Sequence, residues 1–468
     1  MTDRRRMAPQ DATMYWLSKR TPNDQFLLYS FADAGVQTAE LRAHIERRSA
    51  HIPDLRVRLR EVPRDLDYPS WVRCEFSADQ FVEHDLPQAD WSHVQAALGE
   101  LLGTGVDAAD RPWRLHVFRG VAGAPMRSDA AELATVVVLQ MSHALADGKR
   151  AAAVARSLFG KDDPLGRPPS PCHPERGSRL HGRFFAALRM TVGTLRVPIQ
   201  VAQTMARGYQ AYRAQRTLVE LTESGRLPGP GPSFTPSAVN QAVAEANTAQ
   251  QARMLVWDAG ELRIPGRTMT VVALTAVSLA LPNYLTTLGK PVDRSGAQVP
   301  MALPGKALPR NNYCSLGVDL HIDEPDLRRR ADRIAAALSD RRTRAEHPLL
   351  SAQDRVTSVT PAAVLRRDLD RYPLDTVPDA ISGHTVVSSV HRGSADLSFG
   401  GPVRFTAGFP AIGSVMHLTH GVHGLGDTVT ISVHADAATI TDIDAYAELL
   451  RSAVQQVVAA HAVPPTPG

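Results

Sequence analysis

Residues Thr135 to Gly160 have the sequence TVVVLQMSHALADGKRAAAVARSLFG, which predicts a strand, a short turn and a helix. The β-branched run at the start is typical of a buried strand. Behind Gly148, apolar residues recur at helical spacing as far as Gly160, a typical helix stop. His143 therefore leaves a central strand, and Asp147 stands four residues later at the start of a helix. Because α/β sheets tend to place their chemistry at strand ends, this turn is the first candidate for a functional site.

The spacing of the turn has two interpretations. A strand-end histidine suits general base catalysis, because the unperturbed pKa of imidazole lies near neutrality. The simpler alternative is a loop histidine, with Asp147 only capping the next helix. Spacing alone favours this simpler alternative. The sequence contains no G-x-S-x-G elbow, P-loop or dinucleotide fingerprint.

Composition places the chain among ordinary globular proteins. Its 468 residues predict two or three domains, and it is 43% hydrophobic and 21% charged. The net charge of +4 is too small to indicate a nucleic-acid partner. Cys74, Cys172 and Cys314 are far apart, which suits a reducing cytosol and no metal site. With no signal-like apolar segment behind the basic N-terminus, we expect a cytoplasmic protein.

Two further segments were weighed for special roles. The apolar run Thr270–Leu281 is too short to cross a bilayer and predicts a buried core helix. His417, His420 and His423 recur at intervals of three, but in a strand His420 would point away from the other two. No metal site is therefore predicted there.

The order of strand-like and helix-like segments predicts an α/β protein with mixed sheets. Proline-rich stretches near residues 161–174 and 226–237 divide the chain. We predict an N-terminal domain over residues 1–165, a basic crossover over 166–237 and a C-terminal domain over 238–468. Pro198 predicts a kink or a break in any helix of the crossover.

Residues 176–216 of the crossover carry eight arginines and no acidic residue, with aromatic and aliphatic side chains between them. One interpretation is a solvated connection between the two halves. The other is peripheral contact with an anionic membrane surface, with the aromatics buried in it, which would suit a lipid substrate.

Several segments in order resemble the bacterial wax ester synthase/diacylglycerol acyltransferase family, a branch of the CoA-dependent acyltransferases with an HHxxxDG motif. SHALADG on a strand-to-helix turn is similar to that motif, with His143 at its second histidine. Four other segments are similar to family motifs: MAPQDATMYWL (Met7 to Leu17), RPWRLHVF (Arg111 to Phe118), NNYCSLGVDLHIDEPD (Asn311 to Asp326) and HADAATITDIDAYAELL (His434 to Leu450).

The chain also departs from the family pattern. Ser142 replaces the first histidine of the motif. Residues 271–273 replace an N-D pair, 388–393 replace an S-N-V-P-G-P segment, and 424–427 replace S-Y-N-G.

The resemblance implies two chloramphenicol-acetyltransferase-like domains that form a pseudo-dimer around a substrate channel. It implies an O-acyltransferase that moves an acyl group, long-chain by our expectation, from acyl-CoA to a hydroxylated lipid-like or sugar-like acceptor, such as a fatty alcohol, a diacylglycerol or a glycolipid. No tightly bound cofactor is expected. His143 would be the general base, Asp147 would brace the turn through an ion pair, and Gly148 would permit close packing behind the base. Ser142, Asn312 and Ser389 are candidate oxyanion or substrate contacts.

Two alternatives stay open at this point. The chain could be a condensation-type acyltransferase that takes acyl groups from a carrier protein. It could instead be a pseudoenzyme that binds a lipid or a protein partner without turnover, because several family signatures are replaced.

Overall fold

The structure is a computed structural model that describes residues 6–160, 179–242, 249–304 and 309–462, without the side chains of 179–197. Cys172 and the proline-rich stretch 161–174 lie outside the described residues. The described part is an α/β protein with mixed sheets, as predicted, in two lobes that contact each other.

The helices, in chain order, are α1 (Pro9–Ser18), α2 (Thr38–Ser49), α3 (Trp91–Leu102), α4 (Gly148–Phe159), α5 (Arg179–Glu223), α6 (Met269–Thr287), α7 (Leu327–Ala345), α8 (Ala352–Thr357), α9 (Ala362–Arg371) and α10 (Ile443–Ala462).

The strands are β1 (Gln25–Ala32), β2 (Val57–Arg60), β3 (Ser70–Arg73), β4 (Phe81–Glu83), β5 (Trp113–Val121), β6 (Ala134–Met141), β7 (Gln250–Asp258), β8 (Gly296–Ala302), β9 (Tyr313–Asp319), β10 (Thr385–His391), β11 (Val403–Phe409), β12 (Leu418–Leu425) and β13 (Thr428–Asp436).

The N-terminal sheet has the order β11-β1-β6-β5-β4, so its first strand comes from the C-terminal part of the sequence. β11 pairs antiparallel with β1, and Phe26 lies opposite Phe409. The central strand β6 is buried at every residue, which agrees with its β-branched sequence. The predicted boundary at residue 237 remains a prediction, but residues 403–409 lie in the N-terminal sheet and not in a separate C-terminal domain.

The C-terminal sheet has the order β7-β13-β12-β10-β8-β9, with β10 parallel to both β12 and β8. α6 and α10 pack against each other on this lobe's core. Of the described helices, only α6 is long and apolar enough to cross a membrane, and 67% of its most apolar window is buried inside the protein. α6 is thus a core helix, as its sequence predicted.

α5 continues through Pro198, so the proline does not break the helix, and the kink expected there stays a prediction. β12 contains Gly421 and Gly424, although glycine inside a strand usually weakens it. β11 passes over Gly421, and a Cβ on this glycine would collide with the carbonyl oxygen of Gly408.

Candidate active site

The turn between β6 and α4 is closed by hydrogen bonds of its own backbone and of Asp147. The N–H of Leu145 donates to the carbonyl of Ser142 at 2.8 Å. The Asp147 carboxylate caps α4 by accepting the backbone N–H of Arg150 at 2.8 Å. Its second oxygen accepts the backbone N–H of Asn312 at 3.1 Å. Asp147 therefore joins the motif turn to the start of β9 in the other lobe.

His143 projects from this turn against Asn311, which belongs to the C-terminal lobe. The Nδ1 atom of His143 lies 2.8 Å from Oδ1 of Asn311. The Asn311 amide nitrogen donates to the backbone carbonyl of His143, also at 2.8 Å. The ring of Tyr313 lies 5.8 Å from the imidazole, measured between ring centroids. The candidate base thus sits where the two lobes meet.

Asp11, from α1, lies behind Asn311 and is 2% exposed. Its Oδ1 accepts the backbone N–H of Asn311 at 2.9 Å and the side-chain amide of Asn311 at 3.0 Å. Its Oδ2 accepts the backbone N–H of Arg310 at 2.9 Å. Burial raises the pKa of Asp11, and these hydrogen bonds oppose the shift. Three separate parts of the chain therefore converge on the imidazole.

A second cluster of charged side chains surrounds Asp54, beside the start of α4. Arg310 donates to Asp54 at 2.7 Å, and Arg150 donates to both of its oxygens at 2.8 Å. The guanidinium of Arg310 also lies 4.6 Å from the ring centroid of Trp71. Burial opposes ionisation of Asp54, but the hydrogen bonds from Arg150 and the charge of Arg310 outweigh it, so its pKa is lowered.

The electrostatic environment keeps His143 neutral near pH 7. Burial lowers the pKa of His143, although its hydrogen bond with Asn311 and the charge of Asp147 oppose the shift. His143 is half-buried as a residue. A neutral imidazole can accept a proton from a hydroxyl group bound beside it.

The structure corrects two details of the turn. Among the residues that the structure describes, no arginine or lysine lies within ion-pair distance of Asp147, because Arg150 and Arg310 pair with Asp54 instead. The predicted ion pair of Asp147 is thus wrong for this part of the chain. A Cβ on Gly148 would meet only Gln25 and Val390, at 3.8 and 3.9 Å, which are ordinary contacts. Close packing therefore does not require a glycine there.

The three candidate oxyanion contacts differ in their position and in whether their polar groups already have hydrogen-bond partners. The Ser142 hydroxyl is buried and has no hydrogen-bond partner among the described residues. The Asn312 amide already donates to the carbonyl of Leu303 at 3.0 Å. Ser389 lies on β10 next to Val390, the residue that faces Gly148. Their contact with a substrate stays a prediction.

The three closely spaced histidines lie in the interior. His420 bonds to the Tyr446 hydroxyl at 2.7 Å and to the Thr385 hydroxyl at 3.0 Å. His417 bonds to the carbonyl of Gln241 at 2.6 Å. Within the described ranges, no group of three His, Cys, Asp or Glu side chains has the arrangement of a metal site.

A comparison with protein families matches residues 7–255 to the wax ester synthase/diacylglycerol acyltransferase catalytic domain. The match covers more than half of the chain, including α1, β6 and the His143 turn. The chain belongs to this family. The WS/DGAT family comprises acyltransferases, so the resemblance drawn from the short motifs is confirmed. No curated protein matched the sequence.

Solved structures support the same fold. The wax ester synthase/diacylglycerol acyltransferase from Marinobacter aquaeolei VT8 is similar over 98% of this chain and 100% of its own, with a TM-score of 0.62 and 16% identity. The starter condensation domain of rhizomide synthetase, in complex with C8-CoA and Leu-SNAC, is similar over 99% and 95%, with a TM-score of 0.53 and 15% identity. The two-lobed acyltransferase architecture is therefore confirmed.

Sequence reasoning missed Asp11, Asn311 and Tyr313 as neighbours of the candidate base in this WS/DGAT chain. All three lie in segments that resembled family motifs, the opening MAPQDATMYWL and the NNYCSLGVDL strand. Their position in those segments was the only feature of the sequence that could have pointed to the site. Their convergence depends on contacts that span as many as 300 residues.

Proposed function

We propose that this protein is an acyl-CoA-dependent O-acyltransferase in which His143 is the general base. The observation that carries the proposal is the neutral imidazole of the half-buried His143, held at the lobe junction by Asn311. Membership of the WS/DGAT family supports the acyl transfer chemistry. The C8-CoA bound to the rhizomide synthetase domain supports a CoA thioester as the donor for this fold.

The proposed reaction needs one base and no covalent enzyme intermediate. The Nε2 atom of His143 accepts the proton of the acceptor hydroxyl as its oxygen forms a bond to the thioester carbonyl carbon. The carbon–sulfur bond of the resulting tetrahedral intermediate then breaks, and the CoA thiolate receives the proton from the imidazolium. The products are an ester and free CoA. Ser142, whose buried hydroxyl has no hydrogen-bond partner among the described residues, is the proposed oxyanion donor.

The proposed acceptor is a hydroxylated lipid, such as a fatty alcohol, a diacylglycerol or a glycolipid. An unusual surface of α5 supports a lipid substrate. Met205, Tyr209 and Tyr212 follow one another at helical spacing and are 72%, 64% and 61% exposed. The opposite face packs inward through the buried Ala214 and Leu218. We call the exposed residues Val201, Met205, Tyr209, Tyr212 and Val219 the apolar stripe of α5.

We propose that the apolar stripe lies on the surface of an anionic membrane, which would make the enzyme cytoplasmic and peripheral. Arginines flank the stripe, and Arg213 and Arg216 are exposed. An apolar stripe beside basic side chains is the arrangement that binds amphipathic helices to anionic lipid. This position would bring a lipid acceptor to the protein.

The function is tested by thiol release from acyl-CoA in the presence of a panel of alcohols. We expect turnover with long-chain alcohols or diacylglycerol, and a fall in kcat of about 10²- to 10⁴-fold in His143→Ala. His347→Ala is the matched control, since this histidine lies in the loop after α7, and it should retain full activity.

Three outcomes would contradict the proposal. Native turnover in His143→Ala would exclude the general base. Transfer only from an acyl group on a carrier protein would favour the condensation-type alternative. Binding of lipid without any turnover would favour the pseudoenzyme.

A further inference from the structure

The hydrogen bonds around Asn311 decide which nitrogen of His143 carries the proton. The amide nitrogen of Asn311 donates in two directions, to Oδ1 of Asp11 and to the carbonyl of His143. The carbonyl can only accept, and the Asp11 carboxyl can only accept while it is ionised. The NH₂ group of Asn311 must therefore point toward them, and its Oδ1 must point toward the imidazole. An oxygen in that place can only accept, so Nδ1 of His143 is the protonated nitrogen.

The groups that face Asp11 favour its ionised form, against the burial that raises its pKa. Two backbone N–H groups, of Arg310 and Asn311, and one amide N–H donate to its two oxygens. Oδ1 accepts two of these hydrogen bonds, so a proton on Oδ1 would displace one of its donors. If the Asn311 amide turned over, its Oδ1 would face two acceptors, the carbonyl of His143 and the carboxylate of Asp11, and its NH₂ group would donate to Nδ1. The His143 tautomer would then carry its proton on Nε2, where a substrate hydroxyl needs an acceptor.

We propose that Asp11 and Asn311 are positioning residues that hold His143 in the Nδ1–H tautomer and leave Nε2 free as the base. This inference rests on the general-base role proposed above for His143. Neither residue touches the reacting atoms in this scheme. Asp11 sets the orientation of the Asn311 amide, and Asn311 sets the tautomer and the ring orientation. The arrangement links α1, the start of β9 and the motif turn.

The first test is the tautomer itself, which needs no substrate. Nitrogen-15 NMR of histidine-labelled protein distinguishes the two neutral tautomers, and His143→Ala identifies the His143 signal. We expect the Nδ1–H form in the native protein and its loss or mixing in Asn311→Leu. Asn240→Leu is the matched control. It removes an equally buried amide, which donates to the carbonyl of His384 at 2.9 Å, and it should leave the His143 signal unchanged.

The second test is kinetic and separates positioning from a merely structural role. Asn311→Leu and Asp11→Asn should each lower kcat on the order of 10²-fold, with the KM for acyl-CoA changed only a few-fold. The double variant Asp11→Asn/Asn311→Asp exchanges the amide and the carboxylate. It should recover part of the kcat lost in Asp11→Asn, because the carboxylate again accepts from Nδ1.

The pH profile of the double variant gives a further readout. The groups that face His143 are Asn311, Asp147 and the Tyr313 ring, and those that face Asp11 are Arg310 and Asn311. A carboxylate placed beside the imidazole raises the pKa of His143. The acid limb of kcat/KM should therefore move to higher pH in the double variant and stay in place in Asn240→Leu.

An Nε2–H tautomer in the native protein would overturn the inference, as would native kcat and tautomer in Asn311→Leu. The proposed function fails separately, if the native protein releases no thiol from acyl-CoA with any acceptor. In that case the NMR measurement still decides whether Asp11 and Asn311 set the tautomer.

Discussion

At the residue scale, the backbone at Gly148 has room for a side chain. A Cβ there would make only ordinary van der Waals contacts with Gln25 and Val390. Gly148 is also the first residue of α4, where an alanine limits the freedom of the unfolded chain. The glycine therefore costs stability without a steric reason in this structure.

We predict that Gly148→Ala stabilises the protein by about 0.4–1 kcal/mol, because it restricts the unfolded chain at a position that alanine can occupy. Urea unfolding of the two proteins side by side measures the difference. Gly421→Ala is the contrasting variant and should be strongly destabilising, because its Cβ would collide with the carbonyl of Gly408. A large loss of stability in Gly148→Ala would show that the turn needs a glycine after all.

At the element scale, α5 is a helix of 45 residues, roughly 70 Å long, with one face packed against α8 and another open. Thr204 donates to the carbonyl of Val359 on the packed side, and Met205 is exposed beside it. A helix with large apolar side chains on its open face lowers its free energy by burying them in a lipid surface. The proposed membrane contact would bury the stripe, which is exposed in the protein alone.

We predict that replacing Met205, Tyr209 and Tyr212 by serine weakens binding to vesicles of anionic lipid by more than tenfold, because about 2 kcal/mol or more of burial is lost. Co-sedimentation with vesicles measures the binding. Tyr372→Ser is the control, since this exposed tyrosine lies just after α9 and outside the stripe. Equal binding by both variants would exclude the stripe as the membrane contact.

At the scale of the whole molecule, the two lobes share a sheet. β11 completes the N-terminal sheet, and the N-terminal core includes Leu397, Phe399 and Val403 from the same segment. Without them, β1 would have an open edge and part of the core would face water. We therefore expect the N-terminal lobe to need this C-terminal segment for folding.

We predict that residues 1–237 produced alone form aggregates, because the unpaired edge of β1 and the exposed aromatic core promote association. Size-exclusion chromatography and circular dichroism of the fragment test this. The control is the full chain prepared in the same way. A monomeric fragment with cooperative unfolding would contradict the prediction and would support an independent N-terminal domain.

Several buried histidines make the whole fold sensitive to acid. Burial lowers the pKa of His116, His420 and His434 to about 4. Between pH 6.5 and about 4, the unfolded chain binds more protons than the folded one at these sites, so stability is lost as the pH falls through that window. Asp24, whose pKa burial raises to about 7, has the opposite sign, as do the raised pKa values of Asp11, Asp65 and Asp354, so these groups offset part of the loss.

We predict that the melting temperature falls steadily between pH 7 and pH 5, because each histidine can contribute a loss on the order of 3 kcal/mol once both states have titrated. Thermal unfolding across this range measures the slope. His420→Gln removes one titrating group and should give a shallower slope, although its stability at pH 7 is lower. An unchanged slope would mean that His420 does not titrate as proposed.

The sequence by itself determined the local elements and the motif turn. The β-branched run predicted β6, the pattern behind Gly148 predicted α4, and the apolar segment near residue 270 predicted a core helix, and all three are confirmed. Each of these elements follows from the pattern of apolar side chains over a short stretch of chain, and that pattern can be read directly from the sequence. The order of the family-like segments was enough to identify the family.

Tertiary structure alone decided how the candidate base is held and how the lobes are joined. Asp11 and Asn311 meet His143 through hydrogen bonds across hundreds of residues, and β11 joins a sheet whose other strands lie far away in sequence. Arg150 and Arg310 form ion pairs with Asp54 and not with Asp147, which also depends on how the packed chain places these side chains. Such choices depend on which groups the packed chain brings within hydrogen-bonding distance, and no local pattern encodes that distance.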